Sequence, residues 1–298
     1  MTLPIDRALV LDGGLATLLE RHGEDLSSSL WSAATLRANP AAITRAHAAF
    51  FEAGADVATT ATYQLTPLSL ERAGVDIGDF EPLVVTAVRA ARDAQQASGG
   101  GYVVGSVGPY GASLAGGQEY TGDYDLGAGP AAVAALRVHH RPRLQALLDA
   151  GVDALACETI PSLIEVEALV AELATVGADV PVWFSLTPTD GGTATRTGES
   201  LSQVGAIVST LPAAFAVGVN CIAPQDVAPA LSALVPADHG LTGVAYPNSG
   251  ETWDAAARVW RGNAAWDDDA VPSWRGAGAT LIGGCCRVFP EQIRLIAD

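Results

Sequence analysis

The sequence predicts an α/β chain folded as a (β/α)8 TIM-type barrel, and three observations carry that prediction. Eight short apolar runs of β character recur along 298 residues. Longer stretches with helical patterning lie between them. The runs are apolar nearly throughout, as expected of parallel strands buried on both faces. Eight βα units in about this length suit a barrel. The competing architecture is a doubly wound open sheet. Against it, no G-x-G-x-x-G follows the first run. No linker or low-complexity segment divides the chain, so residues 1–298 are expected to form one domain.

The elements follow in order. "ALVLDGG" (8–14) opens the series, and "ADVATTATYQ" (55–64) comes after an Ala-rich helical stretch. "YVVGSVGPYG" (102–111), "ALACET" (154–159) and "VPVWFSLTP" (180–188) are the third to fifth strands. "FAVGVNC" (215–221), "LTGVAYPNSG" (241–250) and "TLIGGCC" (280–286) complete the eight. Helices are predicted over 40–53, 130–150 and 161–176, each opening on a proline. "EAGAD", "DAGVD" and "TVGAD" place a glycine just past three helix ends, before the next strand. The Gly- and Tyr-rich stretch 108–130 follows the third strand. A loop of that length is usually a lid or a binding loop. The "DDDA" run (267–270) reads as a solvated surface.

Composition narrows the function. Hydrophobic residues make up 49% and mean hydropathy is +0.26, enough for a large core. The formal net charge is −17. That argues against nucleic acid and anionic membranes, which need clustered positive charge. It suits cationic small molecules. All sixteen basic residues are arginine. Without lysine there is no Schiff-base aldolase, no pyridoxal-phosphate imine and no phosphate loop of the usual kind. No basic segment precedes an apolar run at the N-terminus, so no secretory signal is expected. Apolar runs break well short of the ~18 residues of a membrane span. Four cysteines in this length make no disulfide framework, which points to a reducing, cytoplasmic compartment.

The strand ends carry the chemistry. In a barrel, active sites sit at the C-terminal ends of the strands. Those ends hold Asp12, Thr60, Glu158, Asn220 with Cys221, Asn248, and Cys285 with Cys286. Cys221 ends the sixth strand and the adjacent pair ends the eighth, so all three thiols fall on one rim. Zn²⁺ takes tetrahedral thiolate ligands, and a catalytic zinc keeps its fourth position open. Gly283 and Gly284 would relax the backbone so that neighbouring thiolates meet one metal. Buried free cysteines are also common, and this is the preferred reading of Cys157. A hydrolytic zinc would use His and carboxylate ligands. None of His22, His47, His139, His140 and His239 falls on a strand end. A thiolate-rich zinc instead suits binding another thiol and keeping its sulfur nucleophilic. That is the chemistry of alkyl transfer to sulfur.

The residues also resemble a known family, the homocysteine S-methyltransferases, specifically bacterial enzymes of the S-methylmethionine-using type. The resemblance covers nearly the whole chain. It rests on "LDGGLATLLE" (11–20), "LWSA" (30–33), "GSVGPYGASLAGGQEYTGDY" (105–124), "HRPR" (140–143) and "ALACET" (154–159). It continues in "GVNCIAP" (218–224), "YPNSGE" (246–251) and "LIGGCC" (281–286). The resemblance implies a (β/α)8 barrel that transfers a methyl group from a sulfonium donor to L-homocysteine, forming methionine. It implies Zn²⁺ on Cys221, Cys285 and Cys286. It places Glu158 at the homocysteine amino group, with Asp12, Gly13 and Thr60 near the substrate and Asn220 shaping the site. The residues agree with those roles. A zwitterionic amino acid needs a carboxylate for its ammonium and N–H donors for its carboxylate. Asp12 and Glu158 would supply the first, and backbone N–H groups at Gly13 and Gly14 the second. Asp12 could also serve as a helix N-cap.

A sulfonium charge favours acids and aromatic faces. Tyr110, Glu119, Tyr120, Asp123 and Tyr124 of the 108–124 loop offer both, and Tyr110 and Glu119 are the candidate donor contacts. The stretch 187–200 matches the family loosely in length and residues, leaving S-methylmethionine and S-adenosylmethionine both open as donors. The competing functions are a zinc-dependent hydrolase on a barrel and a non-catalytic zinc- or thiol-binding protein.

Overall fold

A computed structural model describes residues 3–26, 30–235, 240–254, 259–264, 266 and 269–297, with backbone alone for 252–254 and 259–260. His239, Asp267 and Asp268 lie outside the described residues. The elements run β1 (Leu9–Val10), α1 (Leu15–Arg21), α2 (Ser32–Ala38), α3 (Pro40–Glu52), β2 (Val57–Thr59), α4 (Pro67–Arg72) and α5 (Phe80–Ser98). Next come β3 (Tyr102–Val107), α6 (Tyr110–Leu114), α7 (Gly129–Asp149), β4 (Ala154–Ile160), α8 (Leu163–Val176), β5 (Val182–Leu186) and α9 (Leu201–Val208). The chain ends with β6 (Ala214–Asn220), α10 (Val227–Leu234), β7 (Thr242–Tyr246), β8 (Thr252–Asp254), β9 (Val259–Arg261), α11 (Ala270–Gly276), β10 (Ala279–Ile282) and α12 (Pro290–Ala297).

Eight strands form one sheet in the order β1-β10-β7-β6-β5-β4-β3-β2, every pair parallel. The first strand thus pairs with the last, and helices cover the outside. This is the (β/α)8 barrel expected from the sequence. The short antiparallel pair β8–β9, between β7 and β10, was not expected. The helix ends fall close to their expected positions. Gly54 and Gly177 follow α3 and α8 with φ +97° and +66°, a region that a Cβ disfavours.

The circle closes at β1 and β2 through one backbone hydrogen bond and two carboxylates rather than a strand ladder. The Asp56 N–H donates to Val10 O at 2.7 Å. The Val10 N–H donates to Asp56 Oδ2 at 2.9 Å, and the Thr59 N–H to Asp12 Oδ2 at 2.7 Å. Carboxylates accept here from backbone N–H groups that have no ladder partner across this seam. Buried backbone donors must find some partner.

Two apolar layers result from the alternation of strand side chains. The barrel interior holds Leu9, Leu11, Val57, Val104, Ala154, Ala156, Trp183, Phe215, Val244 and Leu281. The shell between strands and helices includes Val103, Val107, Leu155, Cys157, Phe184, Val217 and Val219. Trp183 fills the interior with no exposure, its indole edge-on to Phe215. It forms the floor beneath the site.

Candidate active site and metal centre

A cavity opens at the C-terminal ends of the strands. Counting its open mouth, the space between its walls is ≈ 970 Å³. Its lining includes Asp12, Gly13, Thr60, Glu119, Glu158, Asn220, Cys221, Cys285 and Cys286. The structure therefore brings the sequence-predicted residues together, apart from Tyr110 and the strand-end Asn248. Tyr110 does not line the cavity. Its ring packs against Tyr124 at 5.3 Å and His139 at 4.8 Å, on the outside of the barrel. The 108–124 loop turns Glu119 and Tyr120 inward instead.

Sequence reasoning missed Trp31, Tyr63, Gln64, Trp183 and Tyr246, which also line the cavity. The signal was present: each is a bulky residue at a strand end, in a strand interior or inside the quoted "LWSA" motif. No chemistry-bearing type drew attention to them.

The thiols come from two segments. Cys221 follows β6 and adopts φ +53°, a left-handed conformation uncommon for a residue with a side chain. Cys285 and Cys286 follow β10. The Cys285 N–H donates to Pro247 O at 2.7 Å, and the Cys286 N–H to Asn248 Oδ1 at 3.1 Å. The Pro-Asn pair after β7 thus fixes the backbone of both cysteines. Gly283 and Gly284 have a role other than the flexibility expected of them, since neither takes a positive φ. A Cβ on Gly283 would lie 2.6 Å from Asp12 O, and one on Gly284 2.0 Å from Val288 Cγ1. These glycines admit close neighbours.

The three sulfur atoms lie within 4.8 Å of one another, the one group of three metal-ligating side chains among the described residues. Cys221 and Cys285, whose Cα atoms are 5.5 Å apart, are joined as a disulfide, and Cys286 is free. The adjacent cysteines are not paired with each other. Such convergence serves either a disulfide or a shared metal. Burial pushes the Cys286 thiol up to about 12. No Lys, Arg or His lines the cavity among the described residues. A cation beside the sulfurs is therefore what would make them thiolates, and a divalent metal on a three-sulfur donor set fits.

Glu158 stands opposite, inside β4 rather than at its end. It is buried, with 7% exposure. Its carboxylate accepts from Ser106 Oγ and from the Tyr246 hydroxyl at 3.1 Å, and Tyr246 accepts from the Trp183 indole N–H at 3.2 Å. Burial pushes Glu158 up, and the Ser106 and Tyr246 donors oppose that. Thr60 acts one step behind: its hydroxyl accepts from the Ser106 N–H at 3.1 Å. Asn220 joins the two halves of the site. Its Oδ1 accepts from the Thr159 N–H at 2.8 Å and from Ser185 Oγ, and its amide donates to Thr159 Oγ1 at 2.7 Å. Thr159 follows Glu158 with φ +59°. One side chain thus supports the unusual backbone beside the acid and directly precedes the first thiol.

Asp12 is pushed up to about 7, chiefly by burial. Both its oxygens accept from Thr59, from the N–H at 2.7 Å and from Oγ1 at 2.9 Å. It closes the barrel as well as facing the cavity. It is not an N-cap, because Gly14 occupies that position at α1. The Gly14 N–H is taken by Val288 O at 2.9 Å, so it does not serve a substrate carboxylate. Glu119 has 7% exposure, its Oε2 has no hydrogen-bond partner among the described residues, and burial pushes its carboxyl up.

The family model described as homocysteine S-methyltransferase matches residues 9–298. The homocysteine S-methyltransferase of Escherichia coli K12 is 44% identical, over 96% of this chain and 93% of that protein. The crystal structure of the E. coli homocysteine methyltransferase in its metallated form superposes with a TM-score of 0.83 at 41% identity, covering 98% of this chain and 96% of that one. Its oxidized form gives 0.83 at 42% identity, covering 97% and 94%. On the family match and this identity across nearly the full length of both chains, the chain belongs to the homocysteine S-methyltransferase family, a family of methyltransferases.

Proposed function

We propose that residues 1–298, working as one domain, transfer a methyl group from a sulfonium donor to the sulfur of L-homocysteine, giving methionine and a neutral thioether. The observation that carries this reading is the meeting of three cysteine sulfurs and a buried carboxylate in one cavity that has no basic side chain among the described residues. Cys221, Cys285 and Cys286 would hold Zn²⁺, which when bound supplies the positive charge that keeps a substrate thiol ionised near neutral pH. The E. coli relative's structure in a metallated form supports a metal here.

The chain's own residues orient the reaction. Glu158, already fixed by Ser106 and Tyr246, accepts the homocysteine ammonium. Gly13 and Thr60 border the same end of the cavity, and Asn220 keeps the acid and the first thiol in register. Glu119, with Tyr63 and Tyr120, receives the donor cation. Attack of the homocysteine sulfur on the methyl carbon forms one C–S bond and breaks another. The electron pair leaves on the donor sulfur, which loses its charge. Rate comes from alignment of two held substrates and an activated sulfur. S-Methylmethionine is the preferred donor. A reducing compartment, the cytoplasm, would keep the thiols available, and no described helix is long and apolar enough to cross a membrane.

The test is methionine formation by reduced, zinc-supplemented protein from L-homocysteine with S-methylmethionine or S-adenosylmethionine. Turnover with the first donor, abolished by a chelator and restored by zinc, is expected. No methionine from either sulfonium donor would refute the reading.

A further inference from the structure

The "HRPR" segment of α7 contributes nothing to the cavity lining, yet its His140 and Arg143 are fully buried. Arg143, His140 and, on α8, Glu165 each have zero exposure. Arg143 donates to Tyr63 O at 2.6 Å and to Gly108 O. These carbonyls begin the loops that follow β2 and β3. The loops abut there, since a Cβ on Gly108 would lie 2.5 Å from Tyr63 O. Arg143 Nη2 also lies 3.3 Å from His140 Nδ1, and His140 Nε2 lies 2.9 Å from Glu165 Oε1. Burial and the neighbouring guanidinium push the His140 imidazole well below its ordinary value, so it is neutral. A neutral ring has one donor and one acceptor. A guanidinium can only donate, so His140 Nδ1 accepts from Arg143, and Nε2 carries the proton and donates to Glu165.

Glu165 then binds the 108–124 loop at two points. It accepts from the Tyr110 N–H at 2.6 Å through Oε1 and from the Tyr124 hydroxyl at 2.6 Å through Oε2. Glu119 and Tyr120, the two residues of this loop that line the cavity, lie between those anchors. Tyr63, the third, is held by Arg143 through its own carbonyl. A buried Arg–His–Glu chain therefore fixes both loops from outside the cavity.

We propose that Arg143, His140 and Glu165 are positioning residues for the donor side of the cavity, fixing the loops that present Tyr63, Glu119 and Tyr120 to the sulfonium donor. The proposal rests on the reading of that side as the donor pocket. None of the three lines the cavity, so they act through the loops. A buried charge pair bridged by a neutral imidazole costs desolvation, and groups of this kind are strongly coupled. A misplacement of about 1 Å in such a support can cost about 100-fold in rate.

The test uses the full-length zinc-loaded enzyme and two variants, Tyr124→Phe and Glu165→Gln. Tyr124→Phe removes one anchor and keeps the buried charges, so it remains informative if Glu165→Gln fails to fold. Three quantities are read: KM for S-methylmethionine, KM for L-homocysteine, and amide hydrogen exchange over 110–124. The expected result for Tyr124→Phe is an about tenfold rise in donor KM, homocysteine KM and zinc content within twofold of wild type, and faster exchange confined to 110–124. Equal rises in both KM values, or no change in either, would overturn the proposal. Faster exchange with an unchanged donor KM would also overturn it, reducing the cluster to a stabilising contact. Failure of the underlying reading is distinct: the wild-type enzyme would itself make no methionine from a sulfonium donor, and both ideas would fall together.

Discussion

Glu158 and Asn220 show how much one residue can carry. Glu158 has two neutral hydrogen-bond donors and no basic side chain beside it in the cavity among the described residues, so an arriving ammonium would be its direct ionic partner. Glu158→Gln keeps the shape and removes that charge. A hydrogen bond to a charged group is worth about 1.5–3 kcal/mol, or roughly 10- to 100-fold in affinity. The homocysteine KM should rise by that factor while zinc content stays constant, as kinetics and metal analysis on one preparation would show. An unchanged homocysteine KM would remove Glu158 from the acceptor site. The acid was legible in the sequence because a carboxylate within an apolar strand is costly without a purpose. The partners of Asn220 were not legible, because Thr159 and Ser185 are ordinary residues whose importance comes from a backbone turn at φ +59°.

At the scale of elements, strands were easier to read than loops. Period and apolar content place the eight strands, and helix ends marked by glycine fall near their expected sites. Loops depend on contacts distant in sequence. Tyr110 and Glu119 both belong to the loop after β3, and both offered chemistry suited to a cation. Only the anchoring of Tyr110 to Glu165, 55 positions away, separates the wall residue from the pocket residue. The two glycines before the cysteine pair were read as a hinge, whereas they accommodate Asp12 O and the Val288 side chain. The closure of the barrel by Asp12 and Asp56 was hidden for a similar reason. An acid at a strand end reads as substrate-binding, and a missing ladder cannot be seen in one strand's sequence.

The whole molecule buries polar groups that need a fixed protonation state. His47 on α3 has zero exposure and no partner for either ring nitrogen among the described residues, and burial pushes it down to about 4. Unfolded, it titrates near 6.5. As pH falls from about 6.5 to about 4, the unfolded chain gains a proton that the native one refuses, and stability is lost. The shift amounts to about 3 kcal/mol at the acid end. The unfolding free energy of wild type, measured by denaturant titration, should therefore fall more steeply over that range than that of His47→Leu. Parallel pH profiles for the two proteins would contradict a neutral buried His47. The same folded frame unites residues that the sequence keeps far apart: Cys221 lies 64 positions from Cys285. The parallel pairing of β6 to β7 and of β7 to β10 brings their sulfurs together with that of Cys286. The most direct measurement is the zinc-to-chain ratio of reduced protein, for wild type and for Cys221→Ala, Cys285→Ala and Cys286→Ala. One zinc per wild-type chain, lost from each variant, is the expected result. One zinc retained in all three variants would contradict the three-thiolate site.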